Sequence, residues 1–417
     1  MRGIRRAAAG AAVAAALCTV AACGSSGGFS GGSNSSSLSG KQSGVHLQLM
    51  IGSSGDAETA AVQAAAKAWG ASSGNTVQVI PASNLTQQLT QAMSGGAPPD
   101  VFYGSPAQFQ SLAQSGSLAV TGDKIKDTSD FYPNLVKAFT VDDKFYCAPK
   151  DFSTLGIEIN TDLWKKAGLT DADLPTTWDK LEADAKKLTG NGVTGLVMTD
   201  SLDRVGAFMV EAGGGYQNAD GTKFTFDTPQ NVQGLTFVQK LAKEGVLKFP
   251  KQVDAGWGGE ALGKGKAAMT IEGNWIVGAM KSDYPNVHYE VVPMPAGPSG
   301  KAGTLSFTNC WGIAAKSKNQ AAAVDFVDYL TTASQQLTFA KAIGVMPSRE
   351  SAKAQFIAQN PEQKAFIDQA DDAVPQVSTS GFAQVQAQFD SQVINLGSSS
   401  DPKAMLAQLQ KNADALG

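Results

Sequence analysis

Histidine and cysteine are almost missing from this chain. Its two imidazoles, His46 and His288, stand 242 positions apart, and its four thiols, Cys18, Cys23, Cys147 and Cys310, fall at no metal-ligand spacing. A Cys/His zinc site therefore lacks its ligands, and histidine catalysis has little to draw on. Basic residues are not in excess either: 33 Lys and Arg face 37 Asp and Glu, a net charge of −4. Removing Arg2, Arg5 and Arg6, which lie in a segment read below as cleaved, leaves 30 against 37, or −7. A mildly acidic protein is a poor general binder of nucleic acid. No internal repeat of about 20 to 50 residues is visible, which excludes a solenoid or propeller. What the chain does have is length: 417 residues, 42% hydrophobic, enough to bury a large core in two or three lobes.

The first residues read as an address. Three arginines within Met1 to Arg6 precede an uncharged Ala-rich run to Ala22, a basic region followed by an apolar region too short for a membrane span with its own stop signal. The ending Val20-Ala21-Ala22-Cys23-Gly24 resembles the lipobox of bacterial lipoproteins, which implies cleavage before Cys23 and a lipid on its thiol. That anchor would hold the protein at the outer face of a cell membrane, since each buried methylene contributes about 0.8 kcal/mol. The alternative is ordinary secretory cleavage after Ala22. From Gly24 to Gly44, 16 of 21 residues are Gly or Ser, the composition of a flexible tether about 25 Å from end to end. Its Gly28-Phe29-Ser30-Gly31-Gly32 matches the G-x-S-x-G pattern of hydrolases, but that chemistry needs a strand-to-helix turn that this composition does not form.

Beyond residue 44, strand and helix signals alternate. Val45–Ile51 reads as a strand, a Gly/Ser loop leads into an Ala-rich helix ending near Trp69, and Val77–Ile80 is the next strand. A helix over Leu85–Met93 capped by Asn84, a strand over Asp100–Tyr103, a strand over Ile157–Ile159 and a helix over Asp162–Ala167 continue the pattern. Thr177 caps a helix whose Trp178, Leu181, Ala185 and Leu188 share one face. Strands over 193–198, 267–271, 287–292 and 312–315 and helices over 232–243 and 321–330 complete an α/β class with a largely parallel sheet.

Several segments then read together. They are Ala97-Pro98-Pro99-Asp100-Val101-Phe102-Tyr103, Tyr146 to Asp151 with Ile159 to Leu169, Pro175-Thr176-Thr177-Trp178, Gly265 to Met269 with Glu272-Gly273-Asn274-Trp275, Pro293 to Gly297, Gly312 to Asn319, and Gly344 to Arg349. In this order and spacing they resemble the extracellular solute-binding proteins of ABC importers, in the sugar-binding group that includes maltose-binding protein. The resemblance implies a two-lobe periplasmic-binding-protein-like fold of type II, with a ligand enclosed between lobes and a closed form presented to permease subunits. It places lobe 1 at 45–147 plus about 311–349 and lobe 2 at about 151–305 plus about 350–417. Hinge crossovers fall near 146–152 and 306–314. Cys147 and Cys310, the two thiols left after processing, sit on those crossovers, so the resemblance implies that they form a disulfide; free thiols are the alternative.

A sugar offers apolar faces to aromatic rings and hydroxyls to planar polar groups. Candidate contacts are Ser53, Ser54 and Asp56 after the first strand, and Tyr103, Gly104 and Ser105 ending another at the same sheet edge. Glu272, Gly273, Asn274 and Trp275 match where the family commonly offers a stacking aromatic, with Trp275 foremost. Asp151, Phe152 and Trp311 flank the crossovers, Trp257 lies in a Gly-rich loop, and Arg349 follows the Pro347 turn. Asp203 and Arg204 rank below these, and Trp164 and Trp178 are assigned to the core. The expected partners are a carbohydrate, a permease and, through Cys23, a membrane; the expected protein is a monomer that needs no cofactor and is not an enzyme. Two rivals remain: a binding protein for a non-sugar small solute, and a secreted glycosidase with Asp151 and Glu272 as its carboxylates.

Overall fold

A computed structural model describes residues 42–416, apart from 219–222, 301, 378, 380 and 399. The signal segment, Cys23 and the tether as far as residue 41 lie outside the described residues. The last three residues of the expected tether are tied down: Gln42 O accepts from Asn75 Nδ2 at 2.8 Å, and Gly44 N donates to Gly74 O at 2.9 Å.

The strands are β1 (His46–Ile51), β2 (Thr76–Pro81), β3 (Val101–Gly104), β4 (Thr140–Val141), β5 (Lys144–Phe145), β6 (Ala148–Asn160), β7 (Thr194–Val197), β8 (Leu247–Lys248), β9 (Ala267–Gly273), β10 (Tyr289–Val292), β11 (Thr304–Ile313) and β12 (Ala373–Pro375). β4 and β5 form a separate hairpin. The others form one path, β2-β1-β3-β11-β6-β9-β7-β8, with β10 beside β6 and β12 beside β11. β1 runs parallel to β2 and β3, and β7 runs parallel to β8 and β9, as alternating strands and helices dictate.

The two longest strands break the parallel pattern. β6 and β11 are antiparallel to each other, β11 is antiparallel to β3, and β6 is antiparallel to β9 and β10. The expected short strand 157–159 is the far end of the 13-residue β6, and the expected strand 312–315 is the tail of a return strand that begins at Thr304. Every residue of β6 is buried, so it carries no alternation for a sequence reading to find. These strands carry the chain out of the first lobe and back. Cys310–Ile313 pair with β3 on one side, Ser306–Trp311 pair with β6 from Thr154 to Ala148 on the other, and the register with β6 shifts between Asn309 and Cys310.

Each lobe has its own core. In the first, Leu47, Leu49 and Ile51 of β1 meet Val62, Ala66 and Trp69 of the helix Asp56–Ser73 and Phe326 of the helix Gln320–Leu330. In the second, Leu155, Ile157 and Ile159 meet Trp164, Trp178, Phe208 and Phe237, with Phe389 and Leu406 from the C-terminal helices Phe382–Val393 and Pro402–Asp414. Trp178 stacks on Phe237 with ring centroids 4.3 Å apart, so it and Trp164 are core residues, as their helix faces indicated. A third cluster joins Tyr132, Leu135 and Phe152 to Ile276, Met280, Phe356 and Phe366.

Cys147 and Cys310 form the disulfide, with Cα atoms 5.5 Å apart. It is seated on Gly104, where an added Cβ would lie 3.0 Å from Cys310 Sγ. Gly104 thus makes room for the bridge between the crossovers.

Candidate functional site

Two clusters of polar side chains meet the crossover strands, one at Lys150 and Asp151 and the other at Ser153 and Phe307. The first is built around Glu58, in the opening turn of the helix after β1. Glu58 Oε2 accepts from Ser54 N at 2.8 Å and Ser54 Oγ at 2.7 Å, while Oε1 accepts from Tyr103 Oη at 2.9 Å and Lys150 Nζ at 3.0 Å. Lys150 also pairs with Asp151, and its ammonium stands 4.9 Å from the Tyr103 ring centroid. Burial pushes the Glu58 carboxyl up, but Lys150 and the Ser54 hydrogen bonds outweigh it and hold the group below its ordinary value. Asp151 is driven the other way, raised by burial with Lys150 opposing. Tyr103 is raised well above the phenol range, first by burial and then by Glu58 and Asp151, so it remains a donor.

The second cluster is built around Glu272 near the end of β9. Glu272 is fully buried, and both of its oxygens are engaged: Oε1 accepts from Thr199 Oγ1 at 3.1 Å, and Oε2 accepts from Arg204 Nη2 at 2.7 Å, Arg204 Nε at 3.0 Å and Trp275 Nε1 at 3.1 Å. The Arg204 guanidinium carbon lies over the Trp275 ring, 4.8 Å from its centroid, and Phe307 meets that ring edge-on at 5.4 Å. Trp275 is nonetheless 38% exposed, the largest exposed aromatic among the described residues. The indole is thus fixed on several sides and still presents apolar ring surface to solvent.

The crossovers connect the two clusters. Asp151 pairs with Asn309 and Ser153 with Phe307, and Ser153 Oγ accepts the Asn274 N–H at 3.0 Å. Asn309 is the exposed side chain of an otherwise largely buried β11.

The sequence candidates are distributed unevenly over this arrangement. Ser54, Tyr103 and Asp151 converge on Glu58 and Lys150. Ser53 Oγ donates to Gly55 O at 2.6 Å and shapes the loop, while Asp56 is exposed in the first turn of the helix. Gly104 seats the disulfide, and half-buried Ser105 precedes the helix Pro106–Gln114. Trp311 is buried, edge-on to Tyr103 at 5.0 Å, and Phe152 is buried against Tyr132. Gly273 has no space for a side chain, since a Cβ would lie 2.3 Å from the Trp275 ring. Asn274 Nδ2 donates to Gly344 O at 2.7 Å and Gln363 Oε1 at 3.0 Å, and Trp257 is half-buried beside the third cluster.

Arg349 is not brought to either cluster. Its guanidinium lies 4.2 Å from the Phe131 ring centroid and donates to the carbonyls of Thr331, Asp127 and Lys126. It lines a different cavity of about 520 Å³ with Trp69, Asp127, Asp325 and Asp328. Sequence reading missed Glu58, Lys150, Thr199, Phe307 and Asn309, and ranked Arg204 low. A Glu four residues after Ser54 at a helix start, and a Lys next to Asp151, were the available signals.

The two Glu272 oxygens both accept from protein donors within the buried cluster. Among the described residues no group of three His, Cys, Asp or Glu is placed to hold a metal ion, and no helix is long and apolar enough to cross a membrane.

The model of the bacterial extracellular solute-binding protein family matches residues 52–337. The chain belongs to this family. A Brucella abortus chain (strain 2308) described as a binding protein is 27% identical over 355 residues, covering 81% of this chain and 84% of that one. The diacetylchitobiose binding protein DasA of Streptomyces coelicolor is 26% identical over 289 residues, covering 65% of each chain. Among solved structures, the cyclic alpha-maltosyl-1,6-maltose binding protein of Arthrobacter globiformis superposes with a TM-score of 0.79 at 22% identity, over 89% of this chain and 98% of that one. The likeness to such structures establishes the two-lobe type II fold that the sequence resemblance implied.

Proposed function

We propose that this solute-binding protein captures a carbohydrate between its lobes and delivers it to the permease of an ABC importer, without catalysis. The observation that carries the reading is Trp275: an indole held by Glu272, Arg204 and Phe307, exposed beside crossover strands that also carry Lys150 and Asp151 of the other polar cluster. A sugar ring would stack on Trp275, while Asp151, Asn309 and the Ser54–Asp56 loop would take its hydroxyls. The likeness to a diacetylchitobiose binding protein in sequence and to a cyclic alpha-maltosyl-1,6-maltose binding protein in fold supports a di- or oligosaccharide.

Closure would pivot on β6 and β11. A hinge needs a few residues that absorb a dihedral change, and the register shift at Asn309/Cys310 offers such a place beside the disulfide. We take 45–147 plus about 311–349 as lobe 1 and about 151–305 plus about 350–417 as lobe 2. The ligand would favour the closed form by its differential affinity for that state. Cys23 would carry the lipid and the Gly/Ser segment would act as the tether, leaving a monomeric receptor free to reach its permease. A Cys23→Ser variant would then appear in the medium and take up no labelled palmitate; retention at the membrane with label would refute Cys23 as the anchor.

The deciding experiment titrates purified protein with mono-, di- and oligosaccharides, following tryptophan emission and melting temperature. One saccharide should bind stoichiometrically, raise the melting temperature and remain uncleaved. No response to any saccharide would refute the carbohydrate reading, and turnover would refute the receptor.

A further inference from the structure

We propose that Arg204 is a positioning residue for the stacking surface, acting on the ligand through Trp275 and not by contact. The proposal rests on the reading of this site as a saccharide cleft and assigns a role within it. Three observations converge on the side chain. Its guanidinium covers one face of the Trp275 indole at 4.8 Å from the centroid, so a sugar must stack on the opposite face. Its Nε and Nη2 grip the same Glu272 oxygen that receives the indole Nε1–H, so one buried carboxylate oxygen fixes ring and cation together. Phe307 of the return crossover lies with its ring centroid 5.8 Å from the guanidinium and edge-on to the indole, which ties the assembly to β11.

The chemistry follows from shape. Arg presents a flat, weakly hydrated fork that can stack on an aromatic face and bind a carboxylate at once, which a Lys ammonium cannot do in one plane. A cation over an aromatic ring contributes about 0.5 to 2 kcal/mol, so the contact is strong enough to hold one indole orientation. With Glu272 locked from the other side by Thr199, the indole is oriented before any ligand arrives. Preorganisation of this kind raises affinity because less side-chain freedom is lost on binding.

The test is a double-mutant cycle between Arg204→Met and Trp275→Ala, read by affinity for the tightest binder among maltose, maltotriose and N,N'-diacetylchitobiose. In the Trp275 background, Arg204→Met should weaken binding about three- to tenfold, within the range of a lost cation–π contact. In the Trp275→Ala background it should weaken binding less than twofold, because the group it positions is gone. Equal losses in both backgrounds would overturn the proposal and make Arg204 a direct contact. Arg204→Met leaves the buried Glu272 charge without its partner, so Arg204→Met/Glu272→Gln is measured beside it to keep the site neutral. Arg204→Lys should not restore full affinity.

A second arm needs no ligand. Acrylamide quenching assigned to Trp275, taken as the difference between each protein and its Trp275→Phe counterpart, should rise at least twofold when Arg204 is replaced. Unchanged quenching would overturn the proposal. If no saccharide binds, the carbohydrate reading fails while quenching still decides the role of Arg204.

Discussion

The two polar clusters, the Glu58 end and the Glu272 end of the candidate site, solve the same problem with different chemistry. At the first, Glu58 and Asp151 share the buried Lys150, and Tyr103 and Ser54 also donate to Glu58. At the second, Arg204 donates through Nε and Nη2 to one Glu272 oxygen, and the visible product is an oriented indole. Both clusters bury their charge, and only the second shows an exposed aromatic face. The lobes also differ in what they leave unsatisfied. The second buries Glu158 and Glu211 with oxygens that have no partner, and burial raises both well above the carboxylate range. Glu272, beside Glu158, adds to its shift. In the first lobe, Glu58 is driven down by its partners. A carboxylate that is fully paired stabilises in its ionised form, whereas one without a cation is tolerated in its protonated form.

Lys150→Met should be the most damaging single change to the first end. It leaves two buried carboxyls without a cation, a situation that costs about 3 to 5 kcal/mol. Chemical denaturation should show the loss growing from pH 4 to pH 8, as those carboxyls are forced to ionise. A loss independent of pH would mean that Lys150 serves packing alone. Replacing Cys147 and Cys310 together by Ser should remove about 2 to 5 kcal/mol by the same measurement, since the bridge closes a loop of 163 residues.

Trp275→Ala tests the second end where it matters least for the core. Because the ring is part-exposed, the variant should lose about 1 to 3 kcal/mol of saccharide binding in calorimetry with little change in stability. Unchanged affinity with a lowered melting temperature would assign Trp275 to structure. The smallest effect separates the lobes by pH. Burial raises Asp184 and Asp390 to about 6, so their contribution to stability falls as pH rises from the ordinary carboxylate range to about 6, with Glu158 and Glu211 continuing the trend above it. The paired Glu58 acts in reverse: its stabilisation is present above the ordinary carboxylate value and is lost as pH falls through its lowered one. Hydrogen exchange resolved by lobe should therefore show the second lobe loosening between pH 4 and 7 relative to the first. Glu158→Gln and Asp184→Asn should flatten that trend; identical pH responses in both lobes would remove the contrast.

Local signals made much of this architecture legible. Asn84 caps its helix by accepting from Gln87 N at 3.0 Å, and Thr177 caps the helix Trp178–Leu188 by accepting from Lys180 N at 3.4 Å, both at the expected places. Trp275 was legible through its motif. Arg204 was underrated because a lone Arg in a helix reads as a solvated charge, and its partner Glu272 lies 68 positions away. Glu58 and Lys150 are 92 positions apart, and no periodicity links them.

The sequence by itself determined the α/β alternation, the helix caps, the Gly/Ser segment and, through resemblance, the family and the Cys147–Cys310 pairing, because these depend on neighbours along the chain or on motifs in order. Tertiary structure decided what only proximity can decide. It made β6 and β11 continuous antiparallel strands through both lobes, gave Arg349 to a wall of backbone carbonyls, and set Arg204 behind Trp275. Those outcomes depend on which distant groups come within hydrogen-bonding distance once apolar surface is buried, and on which buried charges then find a partner.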